Sequence, residues 1–258
     1  MSTAPKKYKG IALNLATGRP FVHFEWAMAI NALTYPVGTN RMIIASIKNP
    51  KDKMLHTRDL QREKCAEKSF EMGAEFMMMF DDDTVPPPHT INELVYVMRQ
   101  HPNAAIVGGI YTTKMSPEEP LVWMEIGGGV YWDWTVGDVF PCAGLGAGCM
   151  MVRTKCLENI PKPWFQDTSI PSLGTMEEIN GVPTRITGSS GTDDLYFCEK
   201  VTAAGYEIWA HGGVLPQHIE DRIDADGDQI AIFHKLPMDA PPIQRYLERQ
   251  KAEKAAQS

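Results

Sequence analysis

The sequence contains no run of about eighteen consecutive apolar residues, so no membrane-spanning helix is expected. Its start, MSTAPKKYKGIALNLATG, lacks the long apolar stretch of a secretory leader, which makes the cytoplasm the expected location. The five cysteines (Cys65, Cys142, Cys149, Cys156, Cys198) are odd in number and none forms a Cys-x-x-Cys pair. That pattern argues against a disulfide framework and a zinc site, and predicts reduced, mostly buried thiols. A broad basic footprint is also missing, because the formal net charge is −7, which disfavours a general nucleic-acid binder. The local patch of Lys48, Lys51, Lys53, Arg58 and Arg62 reads as a solvated loop and helix face.

What is present suits a folded α/β chain. With 258 residues and 43% hydrophobic composition, one domain with extended loops is expected over 1–240, followed by a charged tail at 241–258. GIALNLA reads as a buried strand ending in the turn-forming TGRP, and FEWAMAINAL as an amphipathic helix. RMIIASI reads as a second buried strand, and TRDLQREKCAEKSFEM as a helix stopped by Gly73. AEFMMMF is a third strand running straight into DDD, PPPHTINELVYVMRQ a helix entered through prolines, and AAIVGGIY a fourth strand. This alternation predicts a mostly parallel sheet flanked by helices. From Glu118 to Gly148, short aromatic strands and glycine turns predict a small antiparallel excursion, after which CMMVRTKCLENI resumes as strand and helix. The Pro-, Gly-, Ser- and Thr-rich stretch IPKPWFQDTSIPSLGTMEEINGVPTRITGSSG is long for a connection and reads as a functional loop. DDLYFCEKVTAAG is a helix, YEIWAH a final strand leading to VLPQHI, and LERQKAEKAAQS a loose helix or disordered tail.

Chemistry concentrates where the third strand ends. Asp81, Asp82 and Asp83 stand at the C-terminal edge of a parallel sheet, where open α/β folds bind ligands. Three adjacent carboxylates raise one another's cost of ionisation, and a hard divalent cation relieves it; Mg2+ or Mn2+ bridging to phosphate oxygens fits oxygen ligands best. Solvated turns and helix caps also use aspartate, so the triplet alone leaves both readings open. Further on, Asp193 and Asp194 open a helix, where backbone N–H groups hold a carboxylate. His218 follows the last strand and is placed to return to the same edge as an imidazole ligand.

Taken in order, IALNLATG, HTRDLQREKCAEKSFEMGAEFMMMFDDD, AGLGAGCMMVRTKCLE, PWF, GTDDLYFCEKVTAAGYEIWAH and LPQHI resemble the GT-A-type nucleotide-sugar glycosyltransferases, in particular the family-two-like enzymes of bacteria and phages. The resemblance spans about Gly10 to Ile219 and implies a Rossmann-like GT-A fold. It implies that Asp81 contacts the donor ribose or nucleotide and shares the metal, that Asp83 and His218 are metal ligands, and that Asp82 contributes only charge. Leu15, Ala16 and Thr17 would form the loop that cradles the base, and Arg58, within Thr-Arg-Asp in place of the family's Ala-Arg-Asn, would contact the nucleotide. Thr-Asp-Asp resembles the family's Thr-Glu-Asp, implying that Asp194 takes the acceptor proton in an inverting reaction, with Asp193 beside it. The implied partners are a nucleotide-sugar donor, UDP-linked in the first instance, and an acceptor that is a hydroxymethylated phage DNA base, a glycan or a protein.

Several features lie outside that set. Trp123, Tyr131, Trp132, Trp134 and Trp164 divide between acceptor stacking and ordinary packing. Gly144, Gly146 and Gly148 fail the Gly-x-Gly-x-x-Gly spacing and read as permitting close approach of a sugar. EDRIDADGDQ does not place its acids as a calcium loop requires, and reads as a mobile surface loop, with His234 and Lys235 available to touch a diphosphate. Two alternatives compete: a sugar-phosphate nucleotidyltransferase, whose Gly-rich basic first loop LATGRPF supplies poorly, and a binding module with a degenerate site.

Overall fold

The structure is a computed structural model that describes residues 9–17, 22–47, 58–167, 175–179, 182–186 and 192–256. Lys48, Lys51 and Lys53 of the basic patch, Gly18, Arg19 and Pro20 of the first turn, and parts of the long polar stretch lie outside the described residues. In chain order the first elements are β1 (Ile11–Thr17), α1 (Phe24–Ala32), β2 (Arg41–Ile47), α2 (Arg58–Glu71), β3 (Phe76–Asp81), β4 (Thr84–Val85), α3 (Thr90–Gln100) and β5 (Ala104–Gly109). Then come β6 (Val122–Trp123), β7 (Val139–Cys142), β8 (Gly144–Leu145), β9 (Cys149–Arg153) and a short 3-10 helix, Thr154–Glu158. The chain continues as β10 (Thr175–Ile179), β11 (Val182–Ile186), α4 (Asp193–Ala203), β12 (Glu207–His211), β13 (Gln217–Ile223), β14 (Gln229–His234) and α5 (Pro241–Ala256).

Seven strands form the central sheet in the order β2-β1-β3-β9-β5-β12-β7. β2, β1 and β3 are parallel, as are β5 and β12, whereas β9 runs against both β3 and β5 and β7 against β12. The sheet is therefore mostly parallel, with two reversed strands. β3 shows why it lies at the centre: FMMMF is apolar at every position, so alternate side chains enter a core on each face. Phe76, Met78 and Phe80 pack with Ile91, Leu94 and Met98 of α3, while Met77 and Met79 pack on the other face with Ala66 of α2 and Phe197 and Val201 of α4. The sheet is thus the middle of three layers.

Two reversals of direction create the functional edge. Because β9 is antiparallel to β3, its beginning lies beside the end of β3, and the Asp81 N–H donates to the Gly148 carbonyl. β3 is followed after Asp82 and Asp83 by β4, which pairs with β13 in a separate three-stranded sheet with β14. His218 lies opposite Thr84 in that pairing, and the Ile219 N–H donates to the Asp83 carbonyl at 2.7 Å.

Some sequence expectations change in detail. RMIIASI is an edge strand rather than a buried one, with Arg41, Ile43 and Ala45 exposed. α1 buries only Trp26 among its nine residues, so it is not a well-formed amphipathic helix. The acidic EDRIDADGDQ is largely the β13–β14 hairpin, turned at Asp224–Asp228 with Gly227 at φ 90°. Part of the long polar stretch forms another hairpin, β10–β11. The tail is helical as α5, and Arg245 donates to the carbonyls of Trp132 and Trp134. All five cysteines are free thiols, four buried and Cys142 half-buried. Burial pushes Cys65 up to about 11 and Cys149 and Cys156 up to about 12.

Candidate functional site

Four of the predicted site residues, Asp81, Asp193, Asp83 and His218, fall into two charge clusters at one edge of the central sheet. The first is built on Arg62, in the second turn of α2. Its Nη2 donates to both oxygens of Asp81 at 2.8 and 2.9 Å, and its Nη1 donates to Asp193 Oδ2 at 2.6 Å. The Arg62 side chain is 3% exposed, and burial opposes its charge. Asp193 and Asp81 outweigh that and hold its pKa well above the ordinary arginine value. Burial pushes Asp193 the other way, raising its carboxyl; Arg62 opposes the shift and neighbouring Asp194 adds to it. The Asp81 carbonyl is occupied as well, accepting from Trp26 Nε1 at 2.7 Å.

Arg62 is thus not part of a solvated patch. α2 buries Gln61, Arg62, Cys65, Ala66 and Ser69, a stripe of one helical face, and Arg62 belongs to it. Its spacing from Cys65 and Ala66 was the available signal. Arg58, the arginine favoured from the sequence, opens α2 one turn earlier and is solvent-exposed, and its pKa is raised chiefly by Asp81.

The second cluster is Asp83, His218 and Lys114. His218 Nδ1 lies 2.8 Å from the Thr112 carbonyl, which can only accept, so Nδ1 carries a proton. Its Nε2 then faces Asp83 Oδ1 at 3.5 Å, while Lys114 Nζ lies 2.6 Å from Asp83 Oδ2. Burial pushes the Asp83 carboxyl up, but His218 and then Lys114 outweigh it and hold the group well below the ordinary carboxylate range. Nothing in the sequence distinguishes Lys114 from a surface lysine. Asp82, between the two clusters, is also buried.

Tyr111 joins the clusters. Its ring meets His218 edge-on with centroids 5.3 Å apart, and its hydroxyl accepts from the Gly148 N–H at 2.9 Å. Burial, then Asp81 and Asp194, raise its pKa well above the ordinary tyrosine value. Asp194 itself is oriented by two backbone donors, Ala147 N–H to Oδ2 at 3.2 Å and Leu195 N–H to Oδ1 at 2.9 Å. Both aspartates lie in the first turn of α4, with Thr192 as the N-cap residue.

The glycines have a different use from the one expected. A Cβ at Gly146 would stand 2.5 Å from the Tyr111 hydroxyl, and one at Gly148 would stand 2.6 Å from Thr84 Oγ1. A Cβ at Gly144 would meet Leu195 at 2.6 Å. These glycines make room for the protein's own side chains. Leu15, Ala16 and Thr17 are likewise the last residues of β1 rather than a loop, and the register sets Ala16 beside Asp81. Trp134 and Trp164 are core residues, with their indole N–H groups donating to the carbonyls of Tyr131 and Ile160, whereas Trp123 is half-buried near Gly144. His234 is enclosed by Glu118 at 3.3 Å and Glu220 at 2.9 Å, and Lys235 is exposed.

Among the described residues, no group of three or more His, Cys, Asp or Glu side chains is arranged to hold a metal. Asp83 and His218 fit a divalent cation in chemistry, as an oxygen and an imidazole ligand whose second nitrogen is fixed by a backbone carbonyl. A cation that is completed by substrate phosphates needs only one or two protein ligands. Asp81 differs, since Arg62 takes both of its oxygens.

A mostly parallel sheet between helical layers, with an acidic edge and a small accessory antiparallel sheet, is a GT-A, Rossmann-like fold. No protein-family model matches the sequence, and comparison with curated proteins finds no match. Solved structures do resemble it. The crystal structure of A197 from STIV superposes with a TM-score of 0.56 at 14% identity, covering 86% of this chain and 93% of that one. GalNAc-T7, solved with UDP, GalNAc and Mn2+, superposes with a TM-score of 0.50 at 10% identity. That match covers 82% of this chain and 44% of the GalNAc-T7 chain. At such identities the likeness is one of fold. Among the described residues, no helix is long and apolar enough to cross a membrane.

Proposed function

We propose that the chain is a metal-dependent glycosyltransferase that moves a sugar from a nucleoside diphosphate sugar, UDP-linked in the first instance, to an acceptor hydroxyl. The observation that carries this reading is the approach of His218 Nε2 to Asp83, with Nδ1 fixed by Thr112, at the sheet edge that also holds Asp194. The GT-A fold and the presence of UDP and Mn2+ in the GalNAc-T7 structure support it.

On this reading Asp83 and His218 hold Mn2+ or Mg2+, and the ion supplies positive charge against the departing diphosphate. Asp81, Arg58 and the end of β1 form the nucleotide side, and Arg62 keeps Asp81 and Asp193 in fixed relation. Asp194, aligned by its two N–H donors, takes the proton of the acceptor hydroxyl as that oxygen attacks the anomeric carbon. The leaving group departs on the opposite side, giving inversion.

The test is a panel of nucleotide sugars with Mn2+, offered hydroxymethylated DNA, glycan and protein acceptors, with nucleoside diphosphate release as the readout. Asp83→Asn is expected to abolish metal-dependent turnover. Asp194→Asn is expected to keep donor binding and lose transfer by roughly 100-fold to 10,000-fold, the usual worth of a general base. Equal loss of donor binding in both variants would remove the distinction between metal and acceptor chemistry. No release from any donor, beside an active control enzyme, would overturn the reading as a whole.

A further inference from the structure

We propose that Lys114 is a resident cation of the donor site: it holds Asp83 while no divalent ion is bound and meets a phosphate oxygen of the diphosphate when donor is bound. The proposal rests on the donor-site reading above. It starts from the division of one carboxylate, with Asp83 Oδ1 toward His218 at 3.5 Å and Oδ2 toward Lys114 at 2.6 Å. A metal shared by Asp83 and His218 therefore meets a fixed ammonium on the other oxygen. Like charges oppose one another across so short a span, so Lys114 weakens metal binding to the empty protein. A diphosphate brings negative charge to both cations at once and removes that conflict.

The position of Lys114 is not that of a loose surface lysine. The loop that carries it is closed at its base by a bridge between Thr112 and Pro120. The Thr113 N–H donates to the Glu119 carbonyl at 2.8 Å, and the Glu119 N–H to Thr113 Oγ1 at 3.1 Å. The same loop fixes His218 through the Thr112 carbonyl and reaches β14 through Glu118 and His234. One short segment thus sets the histidine and delivers the ammonium. The lysine side chain keeps 27% of its surface exposed, so it is not sealed into the core, and an ammonium is well suited to phosphate as a point charge.

Two titrations on the purified full chain test the proposal. In the first, Mn2+ is added without nucleotide, and the electron paramagnetic resonance signal of the free hexaaquo ion reports what remains unbound. Lys114→Met is expected to bind Mn2+ about tenfold more tightly than the unaltered protein, the scale of effect that one neighbouring charge has on a carboxylate. Lys114→Arg, which keeps the charge, is expected to stay within about twofold. In the second, UDP is added in EDTA, and Lys114→Met is expected to bind about tenfold more weakly, as for a lost charge-assisted hydrogen bond. Lys114→Met matching the unaltered protein in either titration overturns the proposal. If Asp83→Asn at the same time loses Mn2+, the donor-site reading stands without it. Absence of Mn2+ binding in both the unaltered protein and Lys114→Met overturns the metal site and this proposal together.

Discussion

At the scale of single residues, Arg62 faces two carboxylates that arrive from different parts of the chain, Asp81 from the end of β3 and Asp193 from the start of α4. Removing it leaves buried Asp193 and half-buried Asp81 without the guanidinium they share. Arg62→Met is expected to destabilise the protein by about 3–5 kcal/mol, the cost of breaking a buried ion pair from one side. Arg62→Lys keeps the charge but not the fork that spans two acceptors, so it recovers part of that loss. Urea unfolding of the three proteins checks the order, and an Arg62→Met midpoint equal to that of the unaltered chain would show that the cluster does not stabilise the fold. The acidic partners were legible from the sequence because their positions, after an apolar strand and at a helix start, follow from local pattern. Arg62 was less so: charge alone places an arginine on the surface, and only its three- and four-residue spacing from Cys65 and Ala66 marks the buried face. Lys114 left no such trace, since the loop between Thr112 and Pro120 that carries it to Asp83 follows no periodicity.

At the scale of elements, most strands and helices followed their apolar patterns; what escaped was the burial of α1, the strand pairs β10–β11 and β13–β14, and strand direction and neighbourhood. RMIIASI looks buried by composition, yet it is an edge, because burial of a strand is decided by how many neighbours the sheet gives it. CMMVR gives no sign that it runs antiparallel between β3 and β5, and that reversal is what brings Gly148 to Asp81. The glycine run was visible, but its purpose depends on Tyr111, which lies two residues beyond the end of β5. Gly148→Ala tests that purpose. Its Cβ would press on Thr84 Oγ1 at 2.6 Å and the Tyr111 hydroxyl at 2.7 Å, so a loss of about 1–3 kcal/mol is expected from overpacking. Gly148→Ala combined with Tyr111→Phe, which removes the hydroxyl and leaves Thr84 Oγ1 and the ring carbon Cζ at 2.9 Å, is expected to recover part of it. A double variant no more stable than Gly148→Ala would assign the clash to Thr84 and the Tyr111 ring instead of the hydroxyl.

At the scale of the whole molecule, the GT-A fold was expected from the order of weak motifs, each of which would be ambiguous by itself. The sheet supports that order because its functional edge gathers the ends of β1 and β3, the start of β9 and the start of α4, with β13 joined through β4. The buried cysteines sample this architecture widely: Cys65 on α2, Cys149 on β9, Cys156 in the 3-10 helix and Cys198 on α4. Each is a thiol that a water-borne disulfide reagent reaches only when the layers part, so the chain carries its own stopwatch for global opening. With Ellman's reagent in native buffer, Cys142 is expected to react first. The other four are expected to follow together, at a rate that rises with added urea in step with loss of helical circular dichroism. Rapid colour from all five before any urea is added would mean that the layers breathe apart far more readily than their packing indicates.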